Sequence, residues 1–393
     1  MNQEPKKFVM PAKLKGSLTA MLAVGVLCFI IGLNTDASRA WGNFLVNHFF
    51  WTAISLGSVF FVALQYVSGS SWSAPLRRIA EVLLAYLPVS IVMFFILLFG
   101  THTLYEWTHH EVVANDHILS MKTAYLNVPF FAVRNLITLG VGLFVGFLLL
   151  KNSLKQDKTG EIKFSKINTA ISAPFILFFA WSFTFMSFDL IMSLSPHWFS
   201  TIFGVYCWAI LILSVLATIA ILVIMLRRAG YLEGYITQEH YHALGKLLFG
   251  FVVFWTYIAF SQFMLIWYAD LPEETGYYLT RLANGWEGLT ISFVIIKFVF
   301  PFFLLTTQRA KRNENVLLFA SIWILLVQWI DVYWLVFPSL DHAGHGPVFG
   351  WVEVGMFAGF AGLFFLSVSK LLEKVAPVAH KDVFLHEGVH HHQ

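Results

Sequence analysis

Apolar residues occur in ten long runs separated by short polar segments, a pattern typical of a protein that crosses a membrane repeatedly. Each run is about 20 residues or longer, which as an α-helix covers the roughly 30 Å of a bilayer's hydrocarbon core. No run alternates with a period of two, so helices are predicted rather than strands. The runs, numbered span 1 to span 10, cover residues 16–33, 44–67, 79–100, 130–150, 168–190, 199–226, 243–268, 286–308, 315–336 and 351–372.

Composition excludes a water-soluble protein. Of the 393 residues, 58% are hydrophobic and 12% are charged, and that charged fraction is about half of what soluble domains carry. We therefore expect an all-α integral membrane protein with one ten-span domain over residues 1–376. A C-terminal tail over residues 377–393, loosely held on a partner or in solvent, is expected to follow it.

Positive charge is distributed unevenly between the two sides of the predicted spans. All but five of the 25 lysines and arginines flank the spans on the side of both termini, and the segment 151–166 is predicted to be a long Lys-rich loop there. By the positive-inside rule this side is cytoplasmic. The net charge of +3 is too small to indicate a nucleic-acid partner. The five exceptions are Arg39, Lys122, Arg134, Arg281 and Lys297.

The residues that bind redox cofactors are scarce. The only cysteines, Cys28 and Cys207, both fall in apolar runs, so the sequence offers no covalent haem attachment, no thiolate-bound cluster and no thiolate zinc site. Haem b needs axial histidines in facing spans, and His48 in span 2 is the only histidine well placed for this. We therefore expect no redox centre in this chain.

The side opposite the termini is acidic and rich in histidine. Such a surface is either solvated or a docking face for extracytoplasmic subunits, and the sequence leaves both open. His102, Glu106 and His110 have helical spacing that can bind a metal, but no third histidine of suitable geometry is implied, so no metal site is predicted. The residues of this side are Glu106, Glu111, Asp116, Asp270, Glu273, Glu274, Asp341, His102, His109, His110, His117, His342 and His345.

Ionisable residues inside a span are costly and therefore indicate function. Lys297 lies in the middle of span 8, with Pro301 four residues further on. A proline there removes a backbone hydrogen bond and opens the helix, and a buried lysine changes protonation readily. Lys297 is thus the first candidate for a proton relay at mid-membrane. The alternative is a structural ion pair with an acidic residue on a facing helix.

The junction of spans 5 and 6 offers a second candidate. Asp189 lies about one turn inside the outer boundary and His197 follows after a short turn. Together, a carboxylate and an imidazole at that depth could release protons outward. Alternatively Ser195 and Pro196 start span 6 as an N-cap, with Asp189 held by local hydrogen bonds.

Three further carboxylates are weaker candidates for the same path. Asp331 in span 9 and Glu353 at the outer start of span 10 could each be an interfacial residue. Glu81 opens span 3 from the cytoplasmic side beside Arg77 and Arg78, where it is either an intake carboxylate or part of an ion pair at the helix start.

Three segments resemble one family, and the resemblance extends along nearly the whole chain. FDLIMSLSPHWFSTIFGVYCW (188–208) resembles the junction of spans 5 and 6 in the large membrane subunits of alternative complex III, a bacterial quinol:cytochrome c oxidoreductase. KTAYLNVPFFAVRN (122–135) and FVALQYVSGSSWSAPLRR (61–78) resemble the second of the two NrfD-like membrane subunits of that complex.

The resemblance implies more than the spacing of residues does. It implies two four-helix bundles plus peripheral helices, as in polysulfide-reductase membrane subunits, in the bacterial inner membrane. The implied partners are a sister NrfD-like subunit that oxidises quinol, multihaem and monohaem c-type cytochromes and an iron–sulfur subunit, with a terminal oxidase as a further candidate. Haem and iron–sulfur clusters would then reside only in those partners.

The sequence therefore predicts a scaffold subunit with a proton path through Glu81, Lys297, Asp189 and His197. Asp331 and Glu353 are weaker candidates for the same path. One rival is a menaquinone or ubiquinone site in this chain, and a solute transporter is another. The quinone site would be formed by Asp189, His197, Trp198, Tyr206 and His48.

Overall fold

Ten helices long and apolar enough to cross a membrane occur within the residues described by the computed structural model, 6–341 and 344–391. No strand occurs in this part of the chain, so the prediction of an all-α, multi-pass membrane protein is confirmed. The ten spans, in chain order, are Ala12–Thr35, Ala37–Val67, Ala74–Leu98, Val128–Thr159, Lys163–Leu194, Phe203–Arg228, Gln238–Ala269, Glu287–Thr306, Glu314–Ser339 and Trp351–Leu372.

The Lys-rich segment 151–166 is helical, which corrects the prediction of a long loop. Span 4 continues to Thr159 and span 5 begins at Lys163, with only a short turn between them. Gly160 ends span 4 in the left-handed conformation, with φ of 74°, which glycine adopts without steric cost. Lysine and glutamine are good helix formers, so these helices continue beyond the apolar core.

The spans pack as two groups with two helices at the periphery. Spans 2, 3, 4 and 5 form one group of neighbours, and spans 6, 7, 8 and 9 form the other. Spans 2 and 6 are the most buried of the ten, because span 2 also contacts spans 6 and 9. Spans 1 and 10 pack mainly on each other and against span 2.

Glycines allow spans 1 and 10 to approach closely. A Cβ on Gly359 would lie 2.5 Å from the Cα of Gly25, and a Cβ on Gly355 would lie 2.2 Å from the Sγ of Cys28. No real side chain fits at these distances. Backbones of membrane helices gain van der Waals contact in this way, because lipid provides no hydrophobic drive between helices.

The tail packs against the protein, which corrects the expectation of a loosely held segment. Asp382 forms an ion pair with Arg77, and the two side chains are 2% and 1% exposed. The backbone N–H of Met10 donates to Glu373, so the N-terminal segment lies at the same end of the bundle. We name this end the terminal face. His342 and residues 392–393 lie outside the described part of the chain.

Replacing Gly359 by leucine should separate spans 1 and 10, since the new side chain overlaps the backbone of span 1. The expected cost is about 1–3 kcal/mol, as for overpacked cores. Gly140→Leu is the matched control, because nothing lies within 4 Å of a Cβ built at Gly140. Thermal unfolding in detergent measures both, and equal melting temperatures would contradict the packing described.

Candidate functional site

Lys297 and Asp331 form an ion pair in the membrane interior. Lys297 lies on span 8 and Asp331 on span 9, and their side chains are 1% and 0% exposed. The geometry is that of the alternative weighed for Lys297, an ion pair with an acid on a facing helix. Asp331, for which an interfacial place was the alternative, is fully buried and faces a mid-span lysine.

The helix around Lys297 is locally widened, as the position of Pro301 predicted. Residues Val294–Val299 form a π-helical turn, and Pro301 stands near the start of the α-helical turn that follows. Proline has no N–H for the carbonyl four residues earlier, so the regular ladder breaks here. The indole N–H of Trp323 donates to the carbonyl of Ile296 at 2.8 Å, which satisfies one polar group in this opened stretch.

Two aromatic residues complete what we name the Lys297 cluster, formed by Lys297, Asp331, Tyr206 and Trp255. The hydroxyl of Tyr206 donates to Oδ1 of Asp331 at 2.8 Å. The Nζ of Lys297 lies 3.7 Å from the ring centroid of Trp255, a cation–π contact. The carboxylate thus accepts from two different donors, and one of them is a neutral hydroxyl.

A cavity of about 460 Å³ adjoins the Lys297 cluster, a size that suits a small organic ligand. Tyr206 and Trp255 belong both to the cluster and to the cavity wall. Ile291 and Val294 on span 8 also line it and are 62% and 60% exposed. The cavity therefore opens sideways between spans 7 and 8, where lipid lies. Its wall is Tyr206, Trp255, Thr256, Ala259, Phe260, Phe263, Tyr278, Leu282, Thr290, Ile291, Phe293, Val294, Phe298 and Trp334.

Asp189 binds an arginine of span 4. Arg134 donates to both carboxylate oxygens, with N···O distances of 2.9 and 2.7 Å, and Asn135 adds a third donor. The guanidinium also lies between the rings of Tyr125 and Phe130, at 3.8 and 4.2 Å from their centroids. Asp189 therefore belongs to a structural ion pair, with three side-chain hydrogen bonds to its carboxylate.

His197 pairs with Asp116 of the outer loop, at 2.5 Å between Nε2 and Oδ2. The predicted joint action of Asp189 and His197 is therefore wrong in this structure. The backbone N–H of Leu119 and the imidazole of His197 hold the pKa of the Asp116 carboxyl below its usual range.

The N-cap alternative for this junction fails as well. Span 6 begins at Phe203, and no side chain caps its first turn. The hydroxyl of Ser195 instead bonds that of Ser339 at 2.9 Å. The predicted start of this span at residue 199 is therefore four residues early, because residues 195–202 form turns.

Glu353 lies in the first turn of span 10, in keeping with the interfacial alternative, and its side chain is covered by protein. Arg39 donates to both of its oxygens, at 2.8 and 2.6 Å, and the amide of Asn43 donates at 2.9 Å. The carboxylate also accepts the N–H of Gly350, where span 10 begins. Glu353 thus joins spans 2 and 10 at their ends opposite the terminal face.

Glu81 is buried in an ion pair at the helix start, one of the two arrangements considered for it. Its Oε2 lies 2.8 Å from Nε of Arg78, and the Arg78 side chain also binds Asp157. The hydroxyl of Ser153 also contacts this carboxylate, although neither oxygen accepts a hydrogen bond of good geometry from the described residues. The carboxylate therefore has unused capacity to accept a proton or a water.

The five residues predicted to form a quinone site do not line one cavity. Of these, Tyr206 alone lines the cavity beside the Lys297 cluster. Trp198 stacks on Tyr277 at a centroid distance of 3.8 Å, and His48 stacks on Phe94 in the other helix group. His48 is fully buried, and within the described residues neither ring nitrogen has a hydrogen-bond partner.

Sequence reasoning missed a buried polar face on span 2. Apart from the adjacent Asn47 and His48, its residues lie three or four positions apart, so helical periodicity could have revealed it. The hydroxyls of Thr52 and Ser90 lie 2.5 Å apart, and Trp329 of span 9 donates to Asn47 at 3.0 Å. The members of this face are Asn43, Asn47, His48, Thr52, Ser55 and Ser58.

The outer segment with His102, Glu106 and His110 is not one helix. It contains the short helices Thr101–Leu104, Glu106–Thr108 and His110–Asn115, separated by extended residues. The spacing argument for a metal therefore does not apply, and within the described residues no group of three or more metal-binding side chains occurs.

No known protein family matches the chain, and no curated protein is significantly similar to it.

Removing one partner of the Lys297–Asp331 pair should destabilise the protein by about 3–5 kcal/mol, because it leaves a buried charge unpaired. The double variant K297M/D331N should recover about 0.5–3 kcal/mol relative to the sum of the single variants. The control pair is Glu161–Lys163, whose side chains are 46% and 60% exposed and whose loss should cost at most about 1 kcal/mol. Unfolding measured for all variants checks this, and additive single effects would refute the coupling.

Proposed function

We propose that this chain is a membrane subunit of a respiratory quinol:cytochrome c oxidoreductase of the alternative complex III type, and that it carries protons through its helix groups. The observation that supports this best is the Lys297 cluster: a buried lysine paired with a carboxylate that also accepts from a tyrosine hydroxyl, in a widened helix turn. Polar groups at such depth are costly and are typical of proton relays.

The helix arrangement supports the same proposal. Two groups of four spans with two peripheral helices agree with what the resemblance to NrfD-like subunits implies. In this proposal the protein lies in the bacterial inner membrane with its terminal face towards the cytoplasm, in keeping with the positive-inside rule. The acidic opposite side then faces the c-type cytochromes and the iron–sulfur subunit, and the sister NrfD-like subunit lies beside it in the bilayer.

Gentle detergent purification through an affinity tag on this chain tests the assembly. We expect c-type cytochromes, visible on a haem-stained gel, and an iron–sulfur subunit identified by mass spectrometry. The control is the same extraction from cells without the tag. Recovery of a stable, colourless chain alone would contradict the proposal and favour a solute transporter.

Asp331→Asn and Lys297→Met test the proton path in the purified complex. Each removes an exchangeable proton site, so we expect proton release by proteoliposomes supplied with quinol to slow by roughly tenfold or more. The matched control is Thr218→Val, since Thr218 is a buried hydroxyl of span 6 that bonds within its own helix. Unchanged proton release per electron in both variants, with the complex intact, would eliminate the Lys297 cluster as a relay.

A second candidate function, binding of a quinone by this chain, is favoured by the cavity beside the Lys297 cluster. The cavity opens towards lipid and is walled by aromatic rings, and Tyr206 joins its wall to Asp331. A quinone head group in it could exchange a proton with the Tyr206 hydroxyl, while its isoprenoid tail remains in lipid.

Filling the cavity separates this candidate from the proton path. Ala259→Trp places a large side chain in the cavity wall and should weaken binding of a menaquinone analogue by roughly tenfold or more. Gly250→Trp is the control on the same span, where nothing lies within 4 Å of a built Cβ. Equal affinity of both variants and the unaltered chain, measured by fluorescence quenching, would exclude a quinone at this cavity.

A further inference from the structure

Residues 377–391 cross the terminal face and contact several segments there. Asp382 accepts from Arg77 at 2.7 Å, and the Nζ of Lys381 donates to the carbonyl of Lys158 at 3.0 Å. The hydroxyl of Ser71 donates to Glu387 at 2.9 Å. These contacts join the tail to the turn between spans 2 and 3 and to the turn between spans 4 and 5.

The fit is tight near the end of the described tail. A Cβ on Gly388 would lie 2.4 Å from the carbonyl oxygen of Ser71, so the short helix Leu385–Val389 touches the backbone of that turn. Leu385 and Val389 are each 8% exposed. The tail also lies beside His240 at the start of span 7, through Gly388 and His391, and so reaches both helix groups.

Beneath this segment lies the carboxylate of Glu81. At 1.5 Å per residue, Glu81 is about 10 Å along the helix from the first residue of span 3. Arg77 and Arg78 precede it on the same helix. Arg77 forms an ion pair with Asp382, and Arg78 forms one with Asp157. Asp157 itself is contacted by His380 and by the N–H of Lys381 of the tail.

A small void adjoins Glu81 on its deeper side. Its volume is about 10 Å³, close to the least that holds one water. Val59 and Val62 of span 2 and Gly146 of span 4 line it. Neither oxygen of the carboxylate accepts a hydrogen bond of good geometry from the described residues. The carboxylate has a water-sized space on one side. On the other side lie the two arginines, Asp157 and the tail.

The contacts that hold the tail are both polar and apolar, since Val378, Leu385 and Val389 are buried there alongside Asp382. Residues 373–384 contain no regular helix, and the helix that follows has only five residues, which is too short to be stable alone. Ion pairs and single hydrogen bonds exchange for water at modest cost once a segment lifts away. The tail contributes no helix to the spans, so lifting it exposes its buried side chains but breaks no backbone hydrogen bond within a span.

We propose that residues 377–391 are a cap that controls access from the terminal face to Glu81. With the cap in place, water and ions are kept from the carboxylate; when it lifts, Glu81 opens to the solvent on that side. The cap deepens the proton path proposed above, since Glu81 is its end at this face. The access rates that test it do not depend on that path, so either proposal can fail without the other.

Thiol labelling tests the cap directly. The reporter is Glu81→Cys in a C28A/C207A background, labelled in native membranes with N-ethylmaleimide. Lys163→Cys gives the rate of an exposed site on the same face, because its side chain is 60% exposed. Ser58→Cys gives the rate of a fully buried site.

In the full chain we expect the thiol at position 81 to react slower than the thiol at position 163 by roughly tenfold or more, since only thiols that reach solvent react readily. Ending the chain at residue 376 should speed the reaction at position 81 by a similar factor and leave the reactions at positions 58 and 163 unchanged. A full-length chain in which the rates at positions 81 and 163 are equal would overturn the cap. So would a shortened chain whose rate at position 81 is unchanged.

Two point variants decide the matter if the shortened chain does not fold. Asp382→Asn weakens the contact with Arg77, and Gly388→Val forces the last helix off the turn at Ser71. Each should raise the labelling rate at position 81 by roughly threefold or more, whereas Val383→Ala, at a tail residue 38% exposed, should not. Monodisperse variants that label no faster than the full chain would refute the proposal.

Discussion

The cost of placing a charge in hydrocarbon organises this protein. Lys297, Asp331, Asp189 and Glu353 all lie within spans, and each contacts an opposite charge on another span. An unpaired charge at such depth costs several kcal/mol. Most of that cost is removed when two helices pack so that their opposite charges meet. The ion pairs therefore set which faces of the spans meet, while apolar packing and glycine contacts fill the remaining area.

Two of these pairs each join two consecutive spans and differ in what they can do. Arg134 and Asp189 join spans 4 and 5, and Lys297 and Asp331 join spans 8 and 9. Arginine does not lose its proton in proteins, and a bidentate contact leaves its partner little freedom. Lysine can lose a proton when buried. The pair in spans 8 and 9 is thus the one suited to proton exchange.

Hydropathy was sufficient for the spans but not for the partners of the charges. A run of twenty apolar residues in lipid satisfies its own backbone hydrogen bonds only as an α-helix, so the number of helices follows from the sequence. Which helix faces which depends on tertiary packing: Asp331 is 34 positions from Lys297, and no pattern within one segment pairs them. The tail was expected to be loose because it is polar and terminal. In the structure its Asp382 forms an ion pair with the buried Arg77, 305 positions away. The segment 151–166 was expected to be a loop because it is charged, although charge does not oppose helix formation outside the lipid.

In the proposed proton path a proton passes between the two helix groups, because the Lys297 cluster lies in spans 6 to 9 and Glu81 lies in span 3. Trp329, two residues before Asp331 on span 9, donates to Asn47 on span 2, so span 9 contributes one side chain to the Lys297 cluster and another to the polar face of span 2. His48 follows directly and has two ring nitrogens without partners among the described residues. A buried imidazole in that condition needs water, and water there would continue the line along the hydroxyls of this face. The polar face of span 2 is therefore where we expect the proposed path to pass between the two helix groups.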